Sequence, residues 1–172
     1  YNDLAVVLQA LGQRDEAMRL YRAALALTPG AASVRVNIVR CLIESDDLPA
    51  AEREARALIA VQPNAEAWLL LAQVQSATER HEEALTSASE AVKAAPRARG
   101  VQFSYAIALE KVGRMKDALD IYQKLAAQEM DSPDLALNLA RALYAGEQKL
   151  EAETVIEQAL AKWPESAGLH ST

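Results

Sequence analysis

Residues 11–29, LGQRDEAMRLYRAALALTP, form a template that the rest of the chain repeats. A polar segment precedes Ala17, and a proline ends the stretch. The central alanine returns in steps of 34, 33, 34 and 34 residues, at Ala51, Ala84, Ala118 and Ala152. Four of the five copies end in proline, and Met130 takes that position in the remaining copy. A fixed period of this size is the signature of a solenoid built from stacked units.

The first copy predicts two helices joined by a tight turn. Its first half carries large apolar residues at the spacing of an amphipathic helix, namely Leu4, Val7, Leu8 and Leu11. Gly12 follows this helix, as glycine often does after a helix C-terminus. Asp15 and Glu16 open the second helix, because acidic groups are favourable at the positive end of its dipole. Pro29 ends that helix, since proline cannot continue the hydrogen-bond ladder.

Later copies contain further helix starts. Asp46 or Asp47 is placed to cap a helix, and Pro49 lies in its first turn, where the missing N–H costs nothing. Ser132, Pro133 and a following acid give another start with cap, proline and acid in order. Such capped helices, separated by short turns throughout, predict an all-α fold of antiparallel helix pairs.

Charge and cysteine content narrow the function classes. The 172 residues carry a net charge of −6, which opposes the neutralisation that a phosphate backbone requires and argues against nucleic acid as a partner. No apolar run approaches the roughly 20 residues of a membrane span. Cys41 stands alone, so no internal disulfide is predicted. The alanine-rich composition suggests a bacterial source, and cytoplasm and periplasm both stay open, with the cytoplasm slightly favoured.

Several positions besides the alanine agree between copies. Tyr21 and Tyr122 each lie four residues after the repeated alanine, and Tyr1 and Trp68 each lie sixteen residues before it. The residue twelve before it is small in every copy: Ala5, Val39, Ala72, Ala106 and Ala140. This pattern resembles the tetratricopeptide repeat, a helix–turn–helix unit of about 34 residues.

The resemblance implies a right-handed superhelical solenoid of about five repeats in a single array over residues 1–172. The expected repeats are about 1–31, 32–64, 65–98, 99–132 and 133–166, with the start of a further helix at 167–172. The first residues match the interior of a repeat, so we expect the intact protein to continue at both ends.

Arrays of this family bind peptides or partner segments in a concave groove lined by their first helices. The resemblance therefore implies a non-catalytic interaction scaffold, and its candidate partner-binding residues are Asn37, Arg40, Leu69, Gln73, Phe103, Ile107, Asn138, Arg141 and Tyr144. An Asn amide offers a donor and an acceptor to a peptide backbone, and an Arg fork suits a carboxylate. A carboxylate-clamp groove is not expected, because Asn37 and Asn138 fall at clamp positions without supporting lysines.

A plainer interpretation stays open for these residues. The Asn–Arg pairs could be solvated groups bound to nearby acids, and Phe103 and Tyr144 could be packed between neighbouring helices. Two other functions also remain: a repeat segment of a larger transferase or oxygenase that presents substrate, and a self-assembly module whose terminal repeats expose apolar residues such as Leu4 or Leu169.

No enzyme signal stands out in the sequence, and neither cofactor nor metal is predicted. His81 and His170 lie far apart, without metal-ligand spacing, and are expected at the surface. Cys41 has no histidine at a matching distance and is expected to be a small core residue. Nothing matches a phosphate loop or a nucleophile motif.

Overall fold

A computed structural model describes residues 1–170, without the side chains of Ala167 and His170. Within this part every regular element is a helix. The helices of the first three repeats are α1 Asn2–Ala10, α2 Arg14–Leu27, α3 Ala32–Glu44, α4 Leu48–Val61, α5 Ala65–Ala77 and α6 His81–Ala94. Those that follow are α7 Arg99–Lys111, α8 Met115–Gln128, α9 Pro133–Ala145, α10 Lys149–Lys162 and α11 Ala167–His170. The predicted all-α fold is confirmed.

The chain forms two compact units, Tyr1–Pro96 and Arg97–Thr172. In unit 1, α1–α2, α3–α4 and α5–α6 are helix pairs, α2 packs on α3, and α4 packs on α5. In unit 2, α7–α8 and α9–α10 are pairs, α8 packs on α9, and α11 contacts α9 and α10. Within each unit, the second helix of a repeat thus covers the first helix of the repeat that follows.

The repeated alanine lies in the core of every pair. Its exposed fraction is between 0% and 6% in the five copies, at Ala17, Ala51, Ala84, Ala118 and Ala152. A larger side chain there would overpack the contact, at a cost of about 1–3 kcal/mol. Tyr21 and Tyr122, one turn further along, are also fully buried and are the largest side chains of the interior.

The terminal regions differ from each other. Leu4 of α1 is 56% exposed, in agreement with the expectation of an exposed apolar face in the first repeat. The same expectation for Leu169 is wrong, because this side chain is only 2% exposed. It packs in a cluster with Ala136 and Ala159, and Trp163 lies against that cluster. The short helix α11 therefore covers the end of the last complete pair.

Caps and turns follow the sequence signals closely. The Asp47 carboxylate accepts a hydrogen bond from the backbone N–H of Ala50 at 3.2 Å, and the Ser132 hydroxyl accepts one from Leu135 at 3.2 Å. Each turn within a pair has one residue with positive φ, always five residues before the repeated alanine: Gly12, Asp46, Glu79, Gly113 and Glu147. Two of these five positions carry the glycine that a left-handed conformation favours.

Cys41 and His81 both lie partly or wholly inside the fold. Cys41 is 1% exposed, which confirms that it is a core residue, and burial raises the pKa of its thiol. His81 was expected at the surface, but it is half-buried, and its Nδ1 atom is buried without a hydrogen-bond partner among the described residues. The His170 side chain lies outside the described residues. No helix in the described part of the chain is long and apolar enough to cross a membrane.

Candidate functional site

The candidate residues lie on two surfaces, one in each unit. Asn37, Arg40, Leu69 and Gln73 belong to the surface that α1, α3 and α5 form side by side, here named the α1–α3–α5 face. Phe103 and Ile107 on α7, together with Asn138, Arg141 and Tyr144 on α9, belong to the α7–α9 face. Each unit therefore carries its own first-helix face.

On the α1–α3–α5 face, neighbouring helices are joined by side-chain amides. Asn2 Nδ2 donates to Asp3 Oδ1 at 3.4 Å, and Asn37 Nδ2 donates to Asn2 Oδ1 at 3.1 Å. The orientation of both amides follows from chemistry, because the Asp3 carboxylate accepts and does not donate. Asn37 consequently leaves its Oδ1 available as an acceptor.

A second polar link joins the core of unit 1 to the same face. The Tyr21 hydroxyl donates to Gln9 Oε1 at 2.9 Å, and Gln9 Nε2 donates to Glu44 Oε1 at 3.0 Å. Burial raises the pKa of Tyr21, and the charges of Cys41 and Glu44 add to this effect. Tyr21 therefore stays neutral and acts as a hydrogen-bond donor near neutral pH.

Arg40 is bound within the chain. Its Nη2 atom donates to Glu66 Oε1 on the next first helix at 2.8 Å, and both side chains are about half exposed. This matches the plainer interpretation, in which the arginine pairs with a nearby acid. Leu69 is half-buried on α5, and Gln73 is exposed, with no side-chain hydrogen bond to any described residue.

The α7–α9 face contains a longer polar chain. The Tyr122 hydroxyl donates to Glu110 Oε2 at 3.3 Å, Arg141 Nη2 donates to Glu110 Oε1, and Arg141 Nη1 donates to Asn138 Oδ1 at 3.2 Å. Glu110 is 11% exposed, whereas Arg141 is 55% exposed. Burial raises the pKa of Tyr122, and the adjacent Glu110 carboxylate raises it further. Asn138 Nδ2 has no partner among the described residues.

The aromatic candidates of unit 2 have different environments. Phe103 is half-buried and packs against Tyr122, with 5.8 Å between ring centres. This agrees with the plainer interpretation, in which Phe103 packs between helices. Tyr144 is 60% exposed, and the Lys149 ammonium lies 5.3 Å from its ring centre. Ile107, which lies on α7 one turn after Phe103, is half-buried. Tyr144 is thus the aromatic ring of this face that a partner can reach.

The acids that bind the two arginines are not among the candidate partner-binding residues chosen from the sequence. Glu110 lies twelve residues before Tyr122, as Gln9 lies before Tyr21, and this shared spacing was the available signal. Glu66 carried no comparable signal, because its partner Arg40 lies 26 residues away in the chain.

The turn edges of the two units also differ. In unit 1, Arg80 Nη2 reaches Glu52 Oε2 of the preceding repeat at 2.6 Å. In unit 2 the equivalent positions hold Gln148 and Leu119. There the structure has an open cleft of about 480 Å³, lined by Gly113, Arg114, Met115, Lys116, Asp117, Leu119, Ala142, Ala145 and Gly146.

Solved structures with the same fold include several bacterial proteins. The thermophilic tetratricopeptide repeat protein TTC0263 of Thermus thermophilus is 22% identical, with 99% of this chain and 93% of that chain covered and a TM-score of 0.79. MamA of Desulfovibrio magneticus RS-1 is 15% identical, with 96% of each chain covered and a TM-score of 0.81. YrrB, described as having an unusual peptide-binding site, is 18% identical, with 99% and 89% covered and a TM-score of 0.75.

These identities are low, so the three structures establish the shared fold alone. Among curated proteins, no sequence matches this chain. Family models supply the sequence-level assignment. One tetratricopeptide repeat model matches residues 8–74 and 109–171, and a second matches residues 75–133. Proteins of this kind typically mediate protein–protein interactions as scaffolds. The repeat spacing, the paired helices and these matches together show that the chain belongs to the tetratricopeptide repeat family.

Proposed function

We propose that this protein is a non-catalytic scaffold that binds an extended peptide or partner segment along its first-helix faces. The observation that carries this proposal is that side chains of the first helices are exposed where a partner can reach them. Gln73 is an exposed amide without a partner among the described residues, and Tyr144 is a 60% exposed ring. Partner-binding residues of this kind are more effective on rigid elements, because less entropy is lost on binding.

The α1–α3–α5 face offers groups that complement a peptide main chain. Asn37 presents its Oδ1 to a backbone N–H, and Gln73 has both a donor and an acceptor available. Val6 is 44% exposed and Leu69 is half-buried, so apolar side chains of a partner have surfaces to contact. Amides with apolar neighbours suit an extended segment of neutral character.

The proposal assigns no catalytic residue, cofactor or metal to this chain. Among the described residues, no group of three His, Cys, Asp or Glu side chains is arranged to hold a metal ion. Nucleic acid is not proposed as a partner, because the net charge of −6 would oppose it. No feature of the described residues favours a substrate-presenting role in a larger transferase or oxygenase.

The test uses peptides selected from a displayed random library on the folded protein. The binding affinity of each selected peptide is then measured for the wild type and for a variant with Asn37→Ala, Gln73→Ala and Tyr144→Ala. We expect the variant to weaken binding by about tenfold, because truncation of one contact residue at an interface centre costs about 1 kcal/mol or more. Arg40 and Arg141 are left unchanged, since removal of either would strand its partner carboxylate.

A matched control carries Arg22→Ala, Arg53→Ala and Gln123→Ala on exposed positions of second helices. These three side chains make no hydrogen bond to any described residue, so the control should fold and bind like the wild type. Equal affinity of the wild type and the face variant, or equal weakening by the control, would contradict binding at the first-helix faces.

Self-assembly is a second candidate function, and one observation favours it. Tyr1, Leu4, Val7 and Leu11, in α1 or at its caps, are 53% to 70% exposed. Of the residues equivalent to Leu4 in later repeats, Ile38, Leu71 and Leu139 are 2% to 4% exposed, and Tyr105 is half-buried. Sedimentation velocity should then show concentration-dependent dimers that Leu4→Glu abolishes; a wild type that stays monomeric at all concentrations excludes this candidate.

A further inference from the structure

Both arginines of the first-helix faces are paired with acids of the same chain. Arg40 binds Glu66 of the next first helix, and Arg141 binds Glu110 of the preceding one. An arginine that already has a carboxylate partner offers less to a second carboxylate, because the first must be displaced or shared. The two faces are thus poorer sites for acidic partners than their residue types suggest.

The two acids that bind these arginines differ in how deeply they are buried. Glu66 is 48% exposed, so water screens its interaction with Arg40. Glu110 is 11% exposed and accepts hydrogen bonds from both Tyr122 and Arg141. Displacement of Glu110 from Arg141 would leave a mostly buried carboxylate with one donor, which is costly. Glu110 therefore holds its arginine more firmly than Glu66 does.

The Arg141 contact also determines what Asn138 presents. Arginine donates and does not accept, so Arg141 Nη1 must meet Asn138 Oδ1, and the Nδ2 group is left without a partner among the described residues. An amide N–H₂ group is a donor and therefore takes an acceptor. Asp134, one turn before Asn138, is an exposed acid that adds negative charge beside this donor.

We propose that Glu110 is a specificity-determining residue of the α7–α9 face. By neutralising Arg141 and orienting Asn138, it makes the face select a neutral acceptor, such as a peptide carbonyl, over a carboxylate. This inference rests on the proposed function, because it specifies the chemistry of a segment that the same face would bind. It reverses the expectation that Arg141 serves as a carboxylate fork.

The first test compares peptides that differ only in charge. Peptides selected on the wild type are synthesised in matched pairs, with Asn or Asp at each polar position, and their affinities are measured for the wild type and for Glu110→Gln. The wild type should prefer the Asn member. Glu110→Gln should move the Asp-to-Asn affinity ratio toward Asp by about threefold, the size of an exposed ion pair.

Tyr122→Phe is the matched control, because it removes a hydrogen bond to Glu110 but leaves both its charge and the Arg141 contact. Its affinity ratio should equal that of the wild type. Circular dichroism checks that both variants keep their helices. An unchanged ratio in Glu110→Gln, or an equal change in Tyr122→Phe, overturns the assignment of Glu110 while leaving peptide binding itself intact.

The second test needs no peptide and decides the question even if none binds. Sodium acetate is titrated against sodium chloride at equal ionic strength, and the Arg141 Nε–H signal is followed by NMR, with assignment by Arg141→Lys. The wild type should show no saturable shift, whereas Glu110→Gln should show one. A saturable acetate shift of equal size in the wild type would mean that Arg141 is already free to bind carboxylates and would refute the proposal.

Discussion

The first and fourth repeats build the same hydrogen bond with different chemistry. Tyr21 and Tyr122 occupy equivalent positions, and each donates to the residue twelve positions earlier. In the first repeat that acceptor is Gln9, which is neutral. In the fourth it is Glu110, which also binds Arg141. The comparison teaches that the acceptor position of the repeat decides whether the buried tyrosine bonds to a neutral amide or to a carboxylate that also binds an arginine.

The other repeats lack both partners of this bond. The second, third and fifth carry Ala55, Ala88 and Ile156 at the tyrosine position. At the acceptor position they carry Ile43, Ser76 and Tyr144. The first and fourth repeats are also the two whose turns have glycine at the positive-φ position, Gly12 and Gly113. Tyrosine, its acceptor and the turn glycine thus occur together in this chain.

The largest expected effect on stability comes from removing the hydroxyl groups of Tyr21 and Tyr122. Tyr122→Phe should lower the free energy of unfolding by about 2 kcal/mol and Tyr21→Phe by about 1 kcal/mol, because a hydrogen bond to a charged acceptor is worth more than one to a neutral acceptor. Urea denaturation of both variants measures this. Equal losses would mean that the charge of Glu110 contributes nothing to its bond with Tyr122.

A smaller effect is expected from the turns. Glu79 has φ 59 at the position where the first and fourth repeats have glycine. Glu79→Gly should raise the free energy of unfolding by about 0.5–1 kcal/mol, because relief of left-handed strain exceeds the entropy cost of glycine. The midpoint of urea denaturation reports the change. Gly113→Ala is the reciprocal variant and should be destabilising; stabilisation by it would contradict the argument.

The smallest effect concerns the turn edge of unit 1, where Glu52 and Arg80 form an ion pair between adjacent repeats; the pair of positions that corresponds in unit 2, Leu119 and Gln148, is uncharged. Hydrogen bonds from Arg80 and Arg56 lower the pKa of Glu52 below its usual value of about 4.3. This carboxylate therefore stabilises the fold above that value, and its contribution is lost as pH falls through the lower folded pKa. Urea denaturation from neutral pH to below pH 4 should show a shallower acid loss for Glu52→Gln.

The control for this pH series is Glu151→Gln, an exposed acid of α10 without a hydrogen bond to the described residues. Its pH dependence should match that of the wild type. If Glu52→Gln and Glu151→Gln behave alike, the Arg80 contact does not couple to stability.

Local signals predicted most of the fold. Asp47 and Ser132 cap helices as their neighbours suggested, because a cap depends on residues within one turn. The alanine register predicted the buried contact of every pair. Leu169 was misjudged, since its burial depends on how α11 lies against α9 and α10, which a terminal sequence does not reveal.

For the candidate site, too, the sequence predicted some features and left others open. The register placed the candidate residues on first helices, and the exposed positions of Gln73 and Tyr144 agree with that placement. It left open whether Phe103 meets a partner or packs between helices, because its contact with Tyr122 joins two helices across the interior of a pair.

The sequence by itself determined the repeat, the helix ends and the helix on which each candidate residue lies. These properties follow from periodicity and from interactions within a turn or two of the chain. Tertiary structure alone decided the chemistry of the faces. Arg40 meets Glu66 and Arg141 meets Glu110 across 26 and 31 residues, and such contacts exist only when neighbouring repeats pack. Those contacts determine which amide atoms and which charges remain for a partner.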